Sequence, residues 1–290
     1  MKSLVCGLLL LVAAPALAQK PDVIARPTLW HVKGPKGDAY ILGSIHILPP
    51  TVKWRSRKIN AAIAKSDVFV FEVPLDAGSV GKLQDLVLLN GYLPGDKNLR
   101  DMLPAEYRED YDAAVAESGL DAEVVTRERP WLAGLQLMFS QVGKLKFAAN
   151  NGPDKTLMTE GAAAHRKLRY LETVDEQFAV LAPSDPQMDL EQFESSLKDL
   201  RDVGAEIWPM VDAWSKGDQV ALDRFVNGDL DKFPAARQAL LDDRNARWVP
   251  KIEAMLAEKH TYFITVGAGH LTGPKGVPAL LRKAGYHVDS

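Results

Sequence analysis

The chain has 290 residues, of which 47% are hydrophobic, and its formal net charge at pH 7 is only −3. This length and composition are sufficient for a large hydrophobic core. The mild negative charge, with no block of basic residues, argues against a nucleic-acid partner.

The first 18 residues, MKSLVCGLLLLVAAPALA, have the pattern of a secretory signal peptide. They contain one lysine, an apolar run too short to span a membrane, and small residues before the expected cleavage after Ala18. We expect a periplasmic or secreted protein without stable membrane insertion after cleavage, and a retained anchor is the alternative. The only cysteine, Cys6, lies in this segment, so the mature chain has no disulfide and no thiol nucleophile.

The N-terminal part of the mature chain predicts a hairpin followed by a strand-helix-strand unit. LWHVKGPKGDAYILGSI (29–45) has two apolar strands around a Gly- and Pro-containing turn. SRKINAAIAKSD (56–67) has the apolar spacing of an amphipathic helix, and DVFVFEVP (67–74) is an apolar run typical of a strand covered on both faces. We expect a parallel pair of strands with a right-handed crossover.

The middle of the chain, from about residue 81 to 167, predicts a large helical insertion. In AEYREDYDAAVAESG (105–119), Pro104 stands where a first helical turn tolerates it and Gly119 where a helix ends. RKLRYLET (166–173) predicts a strand, and Thr173 with Glu176 predicts a capping box at the next helix.

The chain is again helical from about residue 174 to 259, and Pro250 is expected to kink or divide the last long helix. TYFITVGAGH (261–270), GVPALLRKAG (276–285) and YHV (286–288) then return to strand-helix-strand. We therefore predict a single domain, residues 19–290, of the α/β class. Its mixed sheet is formed by the N- and C-terminal parts of the chain around the helical insertion.

Four polar side chains stand at or just beyond the ends of apolar strands: His46, Glu72, Glu172 and His270. In open α/β sheets, ligands bind outside the carboxyl ends of parallel strands. Imidazole and carboxylate groups suit divalent zinc, manganese or cobalt, so we predict a metal site at this edge.

Both histidines stand three residues after a glycine, as Gly43–His46 and Gly267–His270. With 21 glycines and 6 histidines in 290 positions, about 0.4 such pairs are expected by chance. We expect Gly43, Gly267 and Gly269 to allow sharp turns that aim the histidines. Each histidine alone is also compatible with a loop residue that has only a structural role, and Glu172 with a solvent-facing group or a helix cap.

Arg244 lies on an apolar helical stripe, four residues after Leu240 and four before Trp248. Its guanidinium either points into a pocket, where it would bind a carboxylate or an oxyanion, or packs its stem on the core and reaches water. Ser44 stands beside the first histidine, but no nucleophile-elbow pattern surrounds it, which disfavours a serine nucleophile.

The chain resembles the TraB/PrgY/GumN family, which includes the TIKI proteases. The resemblance extends from Leu29 to the C-terminus. It rests on the sequence blocks LWHVKG…AYILGSIHILP, FVFEV, RPW, YLET…Q, DDRNARW and VGAGHLTGPKGVPALLRKAGY. It implies a fold akin to erythromycin esterase and a haem-binding lipoprotein group and, for TIKI members, a metal-dependent peptidase activity.

The family's two Gly-x-x-His motifs fall on the two pairs above, and its motif glutamate falls on Glu72. The LET glutamate falls on Glu172, and the RN pair on Arg244 and Asn245. In GPDKTL the sequence departs from the family pattern at Pro153, so Asp154 has no assigned role, nor have Gln177 and Asn245.

These observations predict a metal-dependent hydrolase that acts on peptide bonds or on a small-molecule substrate. His46 and His270 would bind the metal, and Glu72 would be a third ligand or the general base. Glu172 would be a further ligand or would hold a ligand in place without touching the metal. Arg244 would stabilise an oxyanion or a substrate carboxylate. The alternatives are a binding protein that holds haem or another small ligand in the same pocket, and an interaction protein whose polar pocket only maintains the fold.

Overall fold

Helices and strands alternate along the chain in a computed structural model that describes residues 22–200 and 202–290. The strands are β1 (Val23–Ile24), β2 (Leu29–Lys33), β3 (Asp38–Ser44), β4 (Val52–Lys53), β5 (Val68–Phe71), β6 (Lys167–Tyr170), β7 (Thr261–Gly267) and β8 (His287–Asp289). The α-helices are α1 (Arg57–Lys65), α2 (Ala77–Asn90), α3 (Leu99–Met102), α4 (Ala105–Ser118), α5 (Ala122–Val125), α6 (Pro130–Lys144), α7 (Pro153–Ala163), α8 (Val174–Leu181), α9 (Pro186–Leu200), α10 (Val203–Lys216), α11 (Gln219–Asn227), α12 (Pro234–Arg237), α13 (Asp243–Leu256) and α14 (Val277–Lys283). The predicted signal segment, residues 1–18, lies outside the described ranges.

Six of the strands form the central sheet in the order β6-β5-β7-β3-β2-β8. The strands β6, β5, β7 and β3 run parallel to one another, while β2 is antiparallel to both β3 and β8. The short strands β1 and β4 form a separate parallel pair. The predicted mixed α/β fold, with long helical segments between the strands, is therefore confirmed.

The predicted strands are present, but one predicted pairing is not. The β2–β3 hairpin turns at residues 34–37, where the Gly34 N–H donates to the Gly37 carbonyl at 2.9 Å. All four residues of β5 are buried, as an unbroken apolar run predicts. The strands β3 and β5 are parallel, yet they are not neighbours, because β7 from the C-terminal part lies between them and pairs with both.

The helices between β5 and β6 are α2 to α7, and those between β6 and β7 are α8 to α13. Gly119 ends α4 with φ +71°, and Pro104 stands one position before its first residue. The capping box at Thr173 and Glu176 is present. The chain is not divided at Pro250, which lies inside α13; the interruption comes earlier, in a π-helical turn at Gln238–Asp242.

Both faces of the sheet are covered, because alternate strand residues enter two different cores. Phe69 and Phe263 pack on the face covered by α1, α7 and α10, whereas Val70 and Ile264 pack on the face covered by α13 and α14. A third core lies among α3, α4, α5, α6 and α9. Within the described ranges, no helix is both long and apolar enough to cross a membrane.

Candidate active site

The sheet order places the four predicted strand-end residues along a single edge. Glu172 comes two residues after β6, Glu72 directly after β5, His270 three residues after β7, and His46 two residues after β3. Since these strands are parallel and adjacent, their carboxyl ends meet on one side of the sheet. The two Gly-x-x-His segments leave neighbouring strands, with Ser44 beside Gly267 in the register.

The centre of this edge is occupied by the side chain of Arg244, from the first turn of α13. The side chain is 7% exposed, so it points into the site and does not reach water. Its Nη2 donates to Glu72 Oε2 at 2.7 Å and to Glu172 Oε2 at 2.9 Å. Its Nε donates to Glu172 Oε1 at 2.9 Å and Oε2 at 3.1 Å. One buried cation therefore neutralises much of the charge on two buried carboxylates.

The remaining guanidinium nitrogen of Arg244 also has protein acceptors. Nη1 donates to the carbonyl oxygen of Leu240 at 3.1 Å, in the π-helical turn, and to His270 Nε2 at 3.0 Å. All five N–H donors of the side chain are therefore directed at protein groups. The predicted oxyanion role needs a free N–H, so this arrangement gives Arg244 a positioning role instead.

Glu72 is held in its ionised form. The backbone N–H of Gly267 donates to Glu72 Oε1 at 2.6 Å, and Gln177 Nε2 lies 3.4 Å from Oε2. Burial opposes ionisation, but the imidazoles of His270 and His46, the guanidinium of Arg244 and the Gly267 N–H together lower the pKa of Glu72 to about 2.

His270 is neutral, with its proton on Nδ1. An arginine can only donate, so Nε2 of the ring is the acceptor in the contact with Arg244. The proton therefore lies on Nδ1, which donates to Asn245 Oδ1 at 2.7 Å. Burial is the main cause that lowers the pKa of His270 to about 3; Arg244 lowers it further, against the opposing charge of Glu72. The ring packs on Trp248 at 4.3 Å between centroids.

His46 is the exposed member of the group, with 55% of its side chain accessible to solvent. Its Nδ1 lies 3.2 Å from Asp154 Oδ2, and the hydroxyl of Ser44 donates to the other oxygen of Asp154. Partial removal from water works against protonation. The hydrogen bond with Asp154 and the charges of Asp154 and Glu72 outweigh it and raise the pKa of His46 to about 9.

The second ring nitrogen of His46 and the first oxygen of Glu72 face the same small space above Gly267. A Cβ on Gly267 would lie 3.1 Å from His46 Nε2 and 3.3 Å from Glu72 Oε1. Glycine is thus needed here for space. None of Gly43, Gly267 and Gly269 has a positive φ. A Cβ on any of the three would crowd neighbouring groups, so each glycine allows their close approach.

The predicted four-residue metal site does not fit the geometry. A divalent ion bound to Glu72, Glu172 and His270 would share its ligands with the Arg244 guanidinium, and two cations at one set of ligands repel strongly. No cluster of three or more His, Cys, Asp or Glu side chains that could hold a metal is present in the described ranges. Glu172 and His270 contact Arg244, and of the four predicted residues only His46 has an exposed side chain.

Four contributing residues had no role from sequence reasoning: Asp154, Gln177, Asn245 and Trp248. Trp248 donates from Nε1 to Glu172 Oε1 at 2.9 Å, and its ring lies under the Arg244 guanidinium. Asp154 reaches His46 from the start of α7, about a hundred residues along the chain, and only the resemblance drew attention to that segment. In the sequence, a role for Asn245 is indicated by its position directly after Arg244.

Sequence comparisons relate the chain to one protein family and to uncharacterized proteins. Residues 28–290 match the TraB/PrgY/gumN family. An uncharacterized protein of Treponema pallidum is 20% identical over 268 residues, which cover 88% of this chain and 80% of that protein. The uncharacterized protein YbaP is 23% identical in Escherichia coli K12 over 254 residues, covering 84% of this chain and 87% of the relative. The Shigella flexneri YbaP is 23% identical over 255 residues, covering 84% and 88%. No solved structure matches the chain significantly.

Proposed function

The chain belongs to the TraB/PrgY/gumN family, and from this premise and the site geometry we propose that it is a periplasmic or secreted hydrolase of peptide bonds. The observation that carries the proposal is the position of His46. It is the exposed imidazole of the site, held by Asp154 at one nitrogen and facing Glu72 above Gly267 with the other. An Asp-oriented imidazole beside a carboxylate is an arrangement suited to proton transfer.

In the proposed reaction, the buried hydrogen-bond network is a rigid support, and the chemistry takes place above it. Arg244 and the Gly267 N–H fix the Glu72 carboxylate, and Asp154 fixes the His46 ring. Water between Glu72 and His46 gives its proton to Glu72 as its oxygen bonds to the substrate carbonyl. Protonated His46 gives its proton to the leaving nitrogen as the C–N bond breaks, and the proton on Glu72 then returns to His46.

Hydrolysis is tested with the full-length mature protein and a defined mixture of synthetic peptides, analysed by mass spectrometry. We expect cleavage by the wild type and a loss of at least about a hundredfold in His46→Asn, the lower end of the range for a single proton-transfer group. His287→Asn is the matched control, because His287 is an exposed histidine on the edge strand β8. Equal activity in wild type and His46→Asn would refute the proposal.

The same preparations separate the proposed function from the other candidates. Each is dialysed against a chelator and then supplied with Zn²⁺, Mn²⁺ or Co²⁺, so that a requirement for a metal is measured directly. A haem titration that gives a Soret band in the wild type and none in His46→Asn, with no cleavage of any peptide, would favour the binding-protein alternative.

A further inference from the structure

A second cavity, of about 410 Å³, lies among the helices α6, α8, α9 and α10. Most of its wall is apolar and includes Trp131, Leu135, Met138, Val180, Phe193 and Leu240. Cavities of this size with a mainly apolar lining and a few polar groups are typical of small-molecule sites in proteins.

The wall of the cavity is fixed by the RPW segment that the sequence resemblance singled out. The buried carboxylate of Asp189, on α9, accepts the backbone N–H of Trp131 at 2.8 Å. Asp189 also accepts from Arg129 Nη2 at 2.8 Å, and the same nitrogen donates to the Pro183 carbonyl at 2.5 Å. The start of α6 is thereby tied to α9 and to the loop between α8 and α9, so the cavity keeps its shape without a ligand.

Trp131, one of the lining residues, has an indole N–H without a hydrogen-bond acceptor among the described residues. Its Nε1 is buried. Its ring is held edge-on against Phe178, with 5.7 Å between centroids. A buried N–H without an acceptor is destabilising, and a carbonyl oxygen of a bound molecule would satisfy it.

The cavity adjoins the candidate active site through two elements. On α8, Val180 and Leu181 line the cavity three and four residues after Gln177, which reaches Glu72. Residues at this spacing lie on the same face of a helix. Leu240 lines the cavity too, while its carbonyl oxygen accepts from Arg244 Nη1.

We propose that this cavity binds an apolar side chain of the substrate, with the Trp131 N–H donated to an adjacent carbonyl. The proposal rests on the proposed hydrolysis and specifies its substrate class: peptides with a large uncharged residue near the cleaved bond. The charge of the wall agrees, because the charged residues that line it are all carboxylates, Asp189, Asp199 and Glu206. An acidic side chain is therefore disfavoured there.

Binding is tested first without any cleavage, using prodan, a neutral naphthalene whose emission responds to hydrogen bonding at its single carbonyl. We expect saturable binding to the wild-type protein. Val180→Phe fills the cavity and should weaken binding by about tenfold or more. Val220→Phe is the matched control, because the same change is made at a residue that is 76% exposed on α11; its binding should equal that of the wild type.

Trp131→Phe keeps an aromatic ring and removes only the indole ring's N–H. It should weaken prodan binding by about three- to tenfold, as for one hydrogen bond, and shift the emission of bound prodan to shorter wavelength. If Val180→Phe fails to fold, this second variant alone decides. Wild-type affinity and emission in Trp131→Phe, or wild-type affinity in folded Val180→Phe, would overturn the proposal.

Cleavage is then tested with the peptide mixture. Wild-type cleavage sites should share an apolar residue at one fixed position, and Val180→Phe should lose this preference. A preference that is the same in both proteins would overturn the assignment. His46→Asn should bind prodan like the wild type, so normal prodan binding without any peptide cleavage would refute hydrolysis and the substrate assignment while leaving the cavity as a ligand site.

Discussion

Arg244 Nη1 lies 3.0 Å from Nε2 of His270, and this contact decides the state of the histidine. The guanidinium can only donate, so the ring must accept at Nε2 and carry its proton at Nδ1, where Asn245 Oδ1 accepts it. His270, although it belongs to a Gly-x-x-His motif, is therefore a neutral acceptor that orients Arg244. The corresponding histidine of the other motif, His46, is exposed and charged.

The tautomer of His270 can be observed directly by NMR of the ¹⁵N-labelled histidines. Because the pKa of His270 is lowered to about 3, its ring should remain neutral, with the Nδ1–H tautomer, throughout the range pH 4 to 8. The resonance is assigned by its loss in His270→Gln. Protonation of this ring between pH 6 and 7, or a proton on Nε2, would contradict the arrangement.

The contributions of Glu72, His270 and His46 to the free energy of unfolding should together be greatest near pH 6.5. The pKa of His270 is about 3 and that of Glu72 about 2, both below their ordinary values of 6.5 and 4.5. As pH decreases, these two residues take up protons in the unfolded chain before they do so in the folded protein. The free energy of unfolding therefore falls between about pH 6.5 and pH 2. The pKa of His46 is raised from 6.5 to about 9, so its contribution is present below 6.5 and is lost as pH rises to about 9.

Urea unfolding at a series of pH values measures both limbs of this profile. In His46→Asn, the loss of stability between pH 6.5 and 9 should become smaller, while the acid limb should remain. An alkaline limb of unchanged slope in this variant would show that His46 does not gain its proton on folding.

Removal of Arg244 should destabilise the fold strongly. Arg244→Met leaves two buried carboxylates without their cation, which is expected to lower the free energy of unfolding by about 3–5 kcal/mol. Arg247→Met is the matched control: Arg247 lies one turn away at 3.8 Å from the same Glu172, but it is 45% exposed, so about 1 kcal/mol or less is expected. Similar losses in the two variants would contradict the central position of Arg244.

Gly267→Ala tests whether the space above this glycine is needed for peptide cleavage and not for the stability of the fold. The added Cβ would lie 3.1 Å from His46 Nε2, at the end of an exposed side chain, and 3.3 Å from Glu72 Oε1, so shifts of a few tenths of an ångström would accommodate it. We expect stability within about 1 kcal/mol of the wild type but a loss of peptide cleavage. Gly143→Ala is the control, since its Cβ meets nothing within 4 Å on α6 and should leave cleavage unchanged. Full cleavage activity in Gly267→Ala would contradict the proposed position of the water.

The sequence predicts most of this fold because its signals are local. The apolar run of β5, the capping box at Thr173 and the glycine after α4 each act within a few residues, and each is found in the structure. The neighbour relations are not local: β7 inserts between β3 and β5 from about two hundred residues further along the chain, and no pattern within β3–α1–β5 indicates it.

For the site as well, the sequence predicts what depends on local signals but not which distant residues come into contact. Strand-end position correctly brought His46, Glu72, Glu172 and His270 to one edge, since parallel strands share their carboxyl ends. The sequence could not indicate that Arg244 reaches their centre, because a guanidinium on an apolar helical stripe is compatible with burial or with exposure. The partner of His46, Asp154, begins a helix elsewhere in the chain, so only the folded structure pairs them.

If protonated His46 supplies the proton in hydrolysis, its titration should be visible in the pH dependence of kcat/KM for a cleaved peptide. The pKa of His46 is about 9, so kcat/KM should be constant around neutral pH and fall about tenfold per pH unit above pH 9. His46→Asn should have a low activity without this alkaline decline. A wild-type kcat/KM that rises through pH 9, or a decline that persists unchanged in His46→Asn, would contradict proton donation by His46.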